Sequence, residues 1–134
     1  MKTVMVFGTF DVLHLGHIAF LKAARRHGDR LVVIVARDAA AERLKKTKLR
    51  FKEGERAQML RELRLVDEAV SGAKANFRKA VAVYKPFVIA LGYDQEAYVN
   101  ELRRFLTSKG LNTKVVRLKA FKARRYKTSL FINR

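Results

Sequence analysis

Short apolar runs recur along the chain, each closed by a glycine, a proline or a charged residue. Residues 2–7 before Gly8 read as a buried strand; 31–36 (Leu-Val-Val-Ile-Val-Ala), 87–91 between Pro86 and Gly92, and 113–118 read as further strands, with 68–71 a short fifth. Between them, apolar residues repeat at helical spacing. Residues 16–26 carry Ile18, Leu21 and Ala24 on one side and stop at His27-Gly28-Asp29, where Gly28 supplies the permissive backbone of a helix end. Residues 39–44 read as a short helix. Residues 55–65 read as a helix with Met59, Leu60 and Leu63 on one face. A weaker helix covers 75–84, and 96–108 places Tyr98, Leu102, Phe105 and Leu106 in register before Gly110. Residues 45–54 and 119–127 are basic and poorly periodic, and read as loops.

Strands that are apolar throughout, alternating with helices, imply right-handed crossovers and a parallel sheet covered on both faces. The expected fold is α/β: a three-layer, Rossmann-like arrangement around a five-stranded parallel sheet, in one domain spanning 1–134. Ligands of such sheets sit at the carboxyl ends of the strands. The loops after the first, fourth and fifth strands are therefore the expected site walls.

Composition narrows the function. Apolar residues make up 49%, enough for a core, and the 31% charged residues are too well mixed with them for disorder. No apolar run is long enough for a bilayer, and a strand follows Met1-Lys2 where a signal peptide would need its apolar region. A cytoplasmic location is expected, with no membrane partner. Cysteine is absent, which excludes disulfides, thiolate zinc sites and a cysteine nucleophile. The net charge of +18 leaves three readings open: nucleic-acid binding, steering of phosphorylated substrates, or a solvated basic surface.

The segment Gly8-Thr9-Phe10-Asp11-Val12-Leu13-His14-Leu15-Gly16-His17 leaves the first strand and enters the first helix. It is neither a dinucleotide-binding GxGxxG nor a phosphate loop with Lys and Ser/Thr. Its physics is still that of an anion site. Gly8 allows a turn, Gly16 allows close backbone approach, and a helix start offers N–H groups and a positive dipole end. Two imidazoles three residues apart can both reach one phosphate group. A capping pair, or half of a zinc site with Asp11, accounts for the same residues.

Gly8-Thr9-Phe10-Asp11 followed by His14-Leu15-Gly16-His17 resembles the signature of the cytidylyltransferase-like nucleotidyltransferases. Glu55-Arg56 followed by Arg64-Leu65-Val66-Asp67-Glu68 is similar to a second segment of that family. Residues 32–38, 90–95 and 115–118 look most like archaeal FAD synthases. The resemblance spans nearly the whole chain. It implies a nucleotidyltransferase that passes AMP from ATP to FMN, giving FAD and pyrophosphate. Thr9, Phe10, Leu15 and Gly16 would hold the nucleotide, and His14 and His17 would touch the triphosphate and stabilise the transition state. Lys46, with Lys45 and Lys48 beside it, would bind phosphate. Asp94 would bind base or ribose. Tyr126, Thr128 and Ser129 resemble a closing motif at a helix start beneath the phosphates. Asp11, Arg56 and Arg64 would serve the acceptor, with structural carboxylates the other partners open to the arginines. Arg64 and Asp67 also suit an ordinary surface pair, and Asp94 a helix cap. Mg2+ would arrive with the nucleotide, with no dedicated protein ligands. The resemblance also implies a homodimer.

Two other functions are carried forward. One is a cytidylyltransferase acting on glycerol 3-phosphate or another phospho-alcohol, although Arg124-Arg125-Tyr126-Lys127-Thr128-Ser129 lacks the Gly-Ile of such enzymes' endings. The other is a non-enzymatic nucleic-acid-binding module, for which 119–126 is the one basic stretch with interleaved aromatics.

Overall fold

The computed structural model of the chain describes residues 1–45, 48–72, 77–96 and 99–119. In chain order these form β1 (Thr3–Gly8), α1 (Leu15–Arg25), β2 (Arg30–Val35), α2 (Asp38–Lys45), α3 (Glu53–Arg61), β3 (Glu68–Ser71), α4 (Phe77–Tyr84), β4 (Val88–Leu91), α5 (Val99–Ser108) and β5 (Lys114–Arg117). The five strands make one parallel sheet in the order β3-β2-β1-β4-β5. The expected α/β fold with a five-stranded parallel sheet is what the chain adopts.

Strand periodicity sorts the core into two layers. Val4, Val6, Leu31, Val33, Val35 and Ala90 pack with Leu21 and Ala24 of α1 and Ala57 and Leu60 of α3. Met5, Val32, Ile34, Ile89 and Leu91 pack on the other side with Val81 of α4 and Val99, Leu102 and Leu106 of α5. The sheet is thus sandwiched, and burying each Val or Leu contributes about 1.5–3 kcal/mol against chain entropy. β1 lies between β2 and β4, with Val6 opposite Val33 on one side and Ala90 on the other. The connection from β1 runs to one face and that from β4 to the other. A crevice therefore opens between their carboxyl ends. Among the described residues, no helix is long and apolar enough to cross a membrane.

Two readings of the pattern need correction. The third helix is Glu53–Arg61, not 55–65, and Met59 is exposed while Arg56, Ala57 and Leu60 face inward. The buried face carries an arginine, which hid its true phase. The helix stops because the N–H groups of Glu62 and Leu63 turn back to the carbonyls of Met59 and Leu60, aiming Leu63 and Leu65 at the core before β3. Gly28 is needed for a different reason than the one expected. It takes no left-handed conformation; a Cβ there would lie 2.4 Å from the carbonyl oxygen of Lys2. The N–H groups of Asp29 and Arg30 donate to that same carbonyl at 2.8 and 3.2 Å, so the backbones run too close for a side chain. Gly28→Ala should lower unfolding free energy by about 1–3 kcal/mol in a urea titration, the usual penalty of overpacking; an unchanged midpoint would contradict this close approach.

Candidate active site

The loop from β1 to α1 begins with a steric constraint. A Cβ on Gly8 would lie 2.5 Å from the Phe10 ring. Phe10 itself adopts a left-handed backbone with φ 52, which costs a residue with a side chain about 1–2 kcal/mol. Ring burial offsets that cost: Phe10 is 5% exposed, packs edge-on against His17 at 5.3 Å, and lies 6.5 Å from Phe20. Gly8 makes room for Phe10, and Phe10 backs His17.

His14 is the N-cap of α1, with extended backbone, and its Nδ1 accepts the N–H of Gly16 at 3.1 Å. His17 reciprocates: its Nδ1 accepts the N–H of His14 at 3.3 Å. The two histidines thus form a capping box, a role usually given to Ser/Thr and Glu/Gln. The pairing decides the tautomers. A neutral imidazole whose Nδ1 accepts must carry its proton on Nε2, so both rings present an Nε2–H donor. The rings stack at 3.9 Å and 26°. One helix-start N–H that was expected to face a ligand is instead taken by His14, and the imidazole stands in its place. The first turn of α1 carries no acidic residue, so its positive end keeps its attraction for an anion. Leu15 is 58% exposed at this helix start.

Burial holds the His14 imidazole below its ordinary value of 6.5. Folding therefore favours the neutral ring. Its contribution to stability is complete above pH 6.5 and is lost as pH falls through the lower folded-state value. Protonation would also turn Nδ1 from acceptor to donor and break the cap.

Asp11 and Arg56 pin the neighbouring loops. Asp11 is 2% exposed, and its carboxylate oxygens accept the N–H groups of Arg50 at 2.8 Å and Phe51 at 2.9 Å. Arg56 is wholly buried. It donates to the carbonyls of Phe51 (3.0 Å), Thr9 (2.7 Å) and Ala36 (2.8 Å), and pairs with the Asp38 carboxylate at 2.7 Å. One guanidinium thus ties the loops after β1 and β2 to the segment entering α3. The carboxylate partner of Arg56 is Asp38. Arg64 is exposed in the turn before β3, at the amino ends of the strands and away from the crevice. Asp67 pairs with Arg25 at 3.3 Å and accepts the Leu31 N–H at 2.7 Å, rather than pairing with Arg64.

Beyond β4, the turn Gly92-Tyr93-Asp94-Gln95 overhangs the other side of the crevice. Asp94 is exposed there, with its Oδ1 3.9 Å from the position of a Gly92 Cβ. It precedes α5 by five positions. Gln95, to which sequence reasoning gave no role, donates to the carbonyl of Phe7 on β1 at 3.3 Å and accepts the Gly92 N–H at 3.2 Å. A polar residue four positions past a buried strand was the available signal. Lys46, Tyr126, Thr128 and Ser129 lie outside the described residues. Among the described residues, no three His, Cys, Asp or Glu groups stand together as metal ligands. Asp11, the carboxylate nearest the histidines in sequence, is engaged by backbone N–H groups.

Two measurements separate these roles. His14→Asn keeps a capping oxygen where Nδ1 stands but removes the Nε2 donor, so its melting midpoint should stay near the parent's, whereas His14→Ala should lose about 1 kcal/mol. Equal losses in both variants would refute the capping role. Arg56→Ala should cost about 3 kcal/mol or more in chemical unfolding, because it strands the Asp38 carboxylate and three part-buried carbonyls; a loss under about 1 kcal/mol would refute the tie.

Comparison with known proteins places this geometry in a family. The model of the family described as cytidylyltransferase-like matches residues 5–134. A protein of Aciduliprofundum boonei named FAD synthase is 45% identical over 121 residues, 90% of this chain and 80% of that protein. One of Thermoplasma volcanium, also named FAD synthase, is 41% identical over 90% of this chain and 84% of its own. The crystal structure described as the lipopolysaccharide core biosynthesis protein of Thermoplasma volcanium superposes with a TM-score of 0.83 at 40% identity, covering 91% of this chain and 99% of that one. A pantoate-β-alanine ligase of Francisella tularensis, 15% identical, shares the fold with a TM-score of 0.62 over 96% of this chain and 66% of its own. On its sequence, its sheet and its paired histidines, the chain belongs to the cytidylyltransferase-like family.

Proposed function

We propose that this chain joins the AMP unit of ATP to FMN, forming FAD and releasing pyrophosphate. The observation that carries the reading is the pair of stacked imidazoles at the start of α1, both held as Nε2–H donors beside the crevice. Relatives named FAD synthase, alike over nine-tenths of the chain, support the choice of substrates.

A phosphate oxygen of FMN attacks the α-phosphorus of ATP in line. The bond between that phosphorus and the bridging oxygen breaks, and pyrophosphate leaves with the electron pair. No protein nucleophile is required, so catalysis consists of positioning and charge stabilisation. His14 and His17 donate from Nε2 to phosphate oxygens on which negative charge grows. Thr9, the Phe10 backbone, Leu15 and Gly16 line the nucleotide's path, and Asp94 meets base or ribose. Lys46, Tyr126, Thr128 and Ser129 complete the phosphate site in this reading. Asp11 and Arg56 serve the acceptor indirectly, by holding the loops that face it, and Arg64 has no support from its position.

A divalent cation, Mg2+, comes with the triphosphate and screens its charge. The surplus of basic residues draws anionic substrates toward the site. The working unit in this reading is a homodimer in the cytoplasm.

Pyrophosphate release from ATP or CTP, each offered with FMN or glycerol 3-phosphate, tests the proposal. FAD should form from ATP with FMN alone; a CMP-linked product would install a cytidylyltransferase instead. His17→Ala should lower turnover by about a hundredfold, as loss of an oxyanion donor does, and near-normal pyrophosphate release by the folded variant would refute the role of the histidines.

A further inference from the structure

The turn that presents Asp94 is held from three directions. Its own backbone closes it, with the Gln95 N–H donating to the Gly92 carbonyl at 3.2 Å. The Gln95 side chain ties it to β1, at the Phe7 carbonyl. The third hold comes from β5. Arg117 stands at the end of that strand, and its Nη1 donates to the carbonyls of Gly92 at 2.8 Å and Gln95 at 2.9 Å, with that of Tyr93 at 3.5 Å. Its Nη2 reaches Glu96 at 3.9 Å. The turn therefore wraps three carbonyls around one guanidinium nitrogen.

This arrangement is costly to assemble without the cation. Three carbonyl dipoles pointing at one place repel one another unless a positive donor sits among them. A guanidinium provides several donors in a fixed plane, whereas an ammonium is a point charge on a flexible stem. The strand register brings Arg117 opposite Leu91, immediately before the turn, so the guanidinium arrives where the carbonyls converge. The apex residues Tyr93 and Asp94 stay exposed at the mouth of the crevice.

We propose that Arg117 is a positioning residue for nucleoside binding: through the carbonyls of Gly92, Tyr93 and Gln95 it fixes the turn that offers Asp94 to the nucleotide. It acts through the turn and not by contact with the phosphates. The inference rests on the nucleotide site proposed above. Its effect falls on the nucleotide and leaves the acceptor alone, because the turn lies on the β4 side of the crevice while Asp11 and Arg56 order the β2 side.

The test uses the full chain and its Arg117→Ala and Arg117→Lys variants. ATP affinity by titration calorimetry should weaken about tenfold in Arg117→Ala through lost preorganisation. The KM for FMN should change less than about twofold, since the β2 side keeps its own ties. Arg117→Lys should recover only part of the ATP affinity. Amide hydrogen exchange should quicken at Gly92 and Gln95 in both variants and stay unchanged in β1. ATP affinity within about twofold of the parent would overturn the proposal. So would a parallel loss of ATP and FMN with a lowered melting midpoint, which marks a merely structural residue. Should Arg117→Ala fail to fold, the lysine variant gives the same readouts. Should the parent bind no triphosphate at all, the proposed activity falls, while unchanged exchange at Gly92 and Gln95 separately rejects the hold on the turn.

Discussion

The hydrogen bond from the Gly16 N–H to Nδ1 of His14 decides more than the start of a helix. It occupies one nitrogen of the ring and so sends the proton to the other. The return bond, from the His14 N–H to Nδ1 of His17, does the same for the second ring. Each histidine positions its partner, and the helix they cap is the one whose positive end faces the crevice. The capping is what the structure shows, and the phosphate site proposed above would be built on it. A serine and a glutamate could have capped α1 as well, but neither would have left a ring N–H donor beyond the cap. Burial keeps His14 neutral where an exposed ring would begin to charge, which protects the acceptor nitrogen that the cap requires.

The rest of the fold holds this unit still. Phe10 accepts a left-handed backbone in order to lay its ring against His17, and Gly8 gives up a side chain so that the ring fits. Arg56, with no exposed surface, joins the loops of β1 and β2 to the segment that precedes α3, and Asp11 fastens that segment from the other side. A buried guanidinium with four acceptors is stable only when all of them are in place. The loops after β1 and β2 are therefore fixed together or not at all. Charge stabilisation of this kind needs donors that are already aimed before charge develops, and the loop ties supply that rigidity.

Much of this was legible in the amino-acid sequence because the three central strands, β1, β2 and β4, are mostly apolar. The runs around Val33 and Ile89 admit no reading but buried strands, and their alternation with helices dictates a parallel sheet. The turn from Gly8 to His17 was legible by its spacing. Other features were hidden because long-range partners set them. Arg56 sits on a buried helix face where periodicity calls for an apolar residue, so the phase of α3 was misplaced. Gly28 looked like a helix terminator and is a point of contact between two backbones. Arg117 lies in an apolar run and Gln95 in a polar one; neither shows its target, since each binds carbonyls on another strand or turn. The capping pair that the spacing of His14 and His17 allows is present, and it is compatible with the proposed anion site.

The most direct measurement is of the tautomers themselves. The chain has three histidines, at 14, 17 and 27, so selective 15N labelling gives few enough resonances to assign each ring. At neutral pH, His14 and His17 should both show a protonated Nε2 and an unprotonated Nδ1, and addition of ATP should move the Nε2 signals more than the Nδ1 signals. A proton on Nδ1 of either ring, or Nε2 signals indifferent to ATP, would contradict the account.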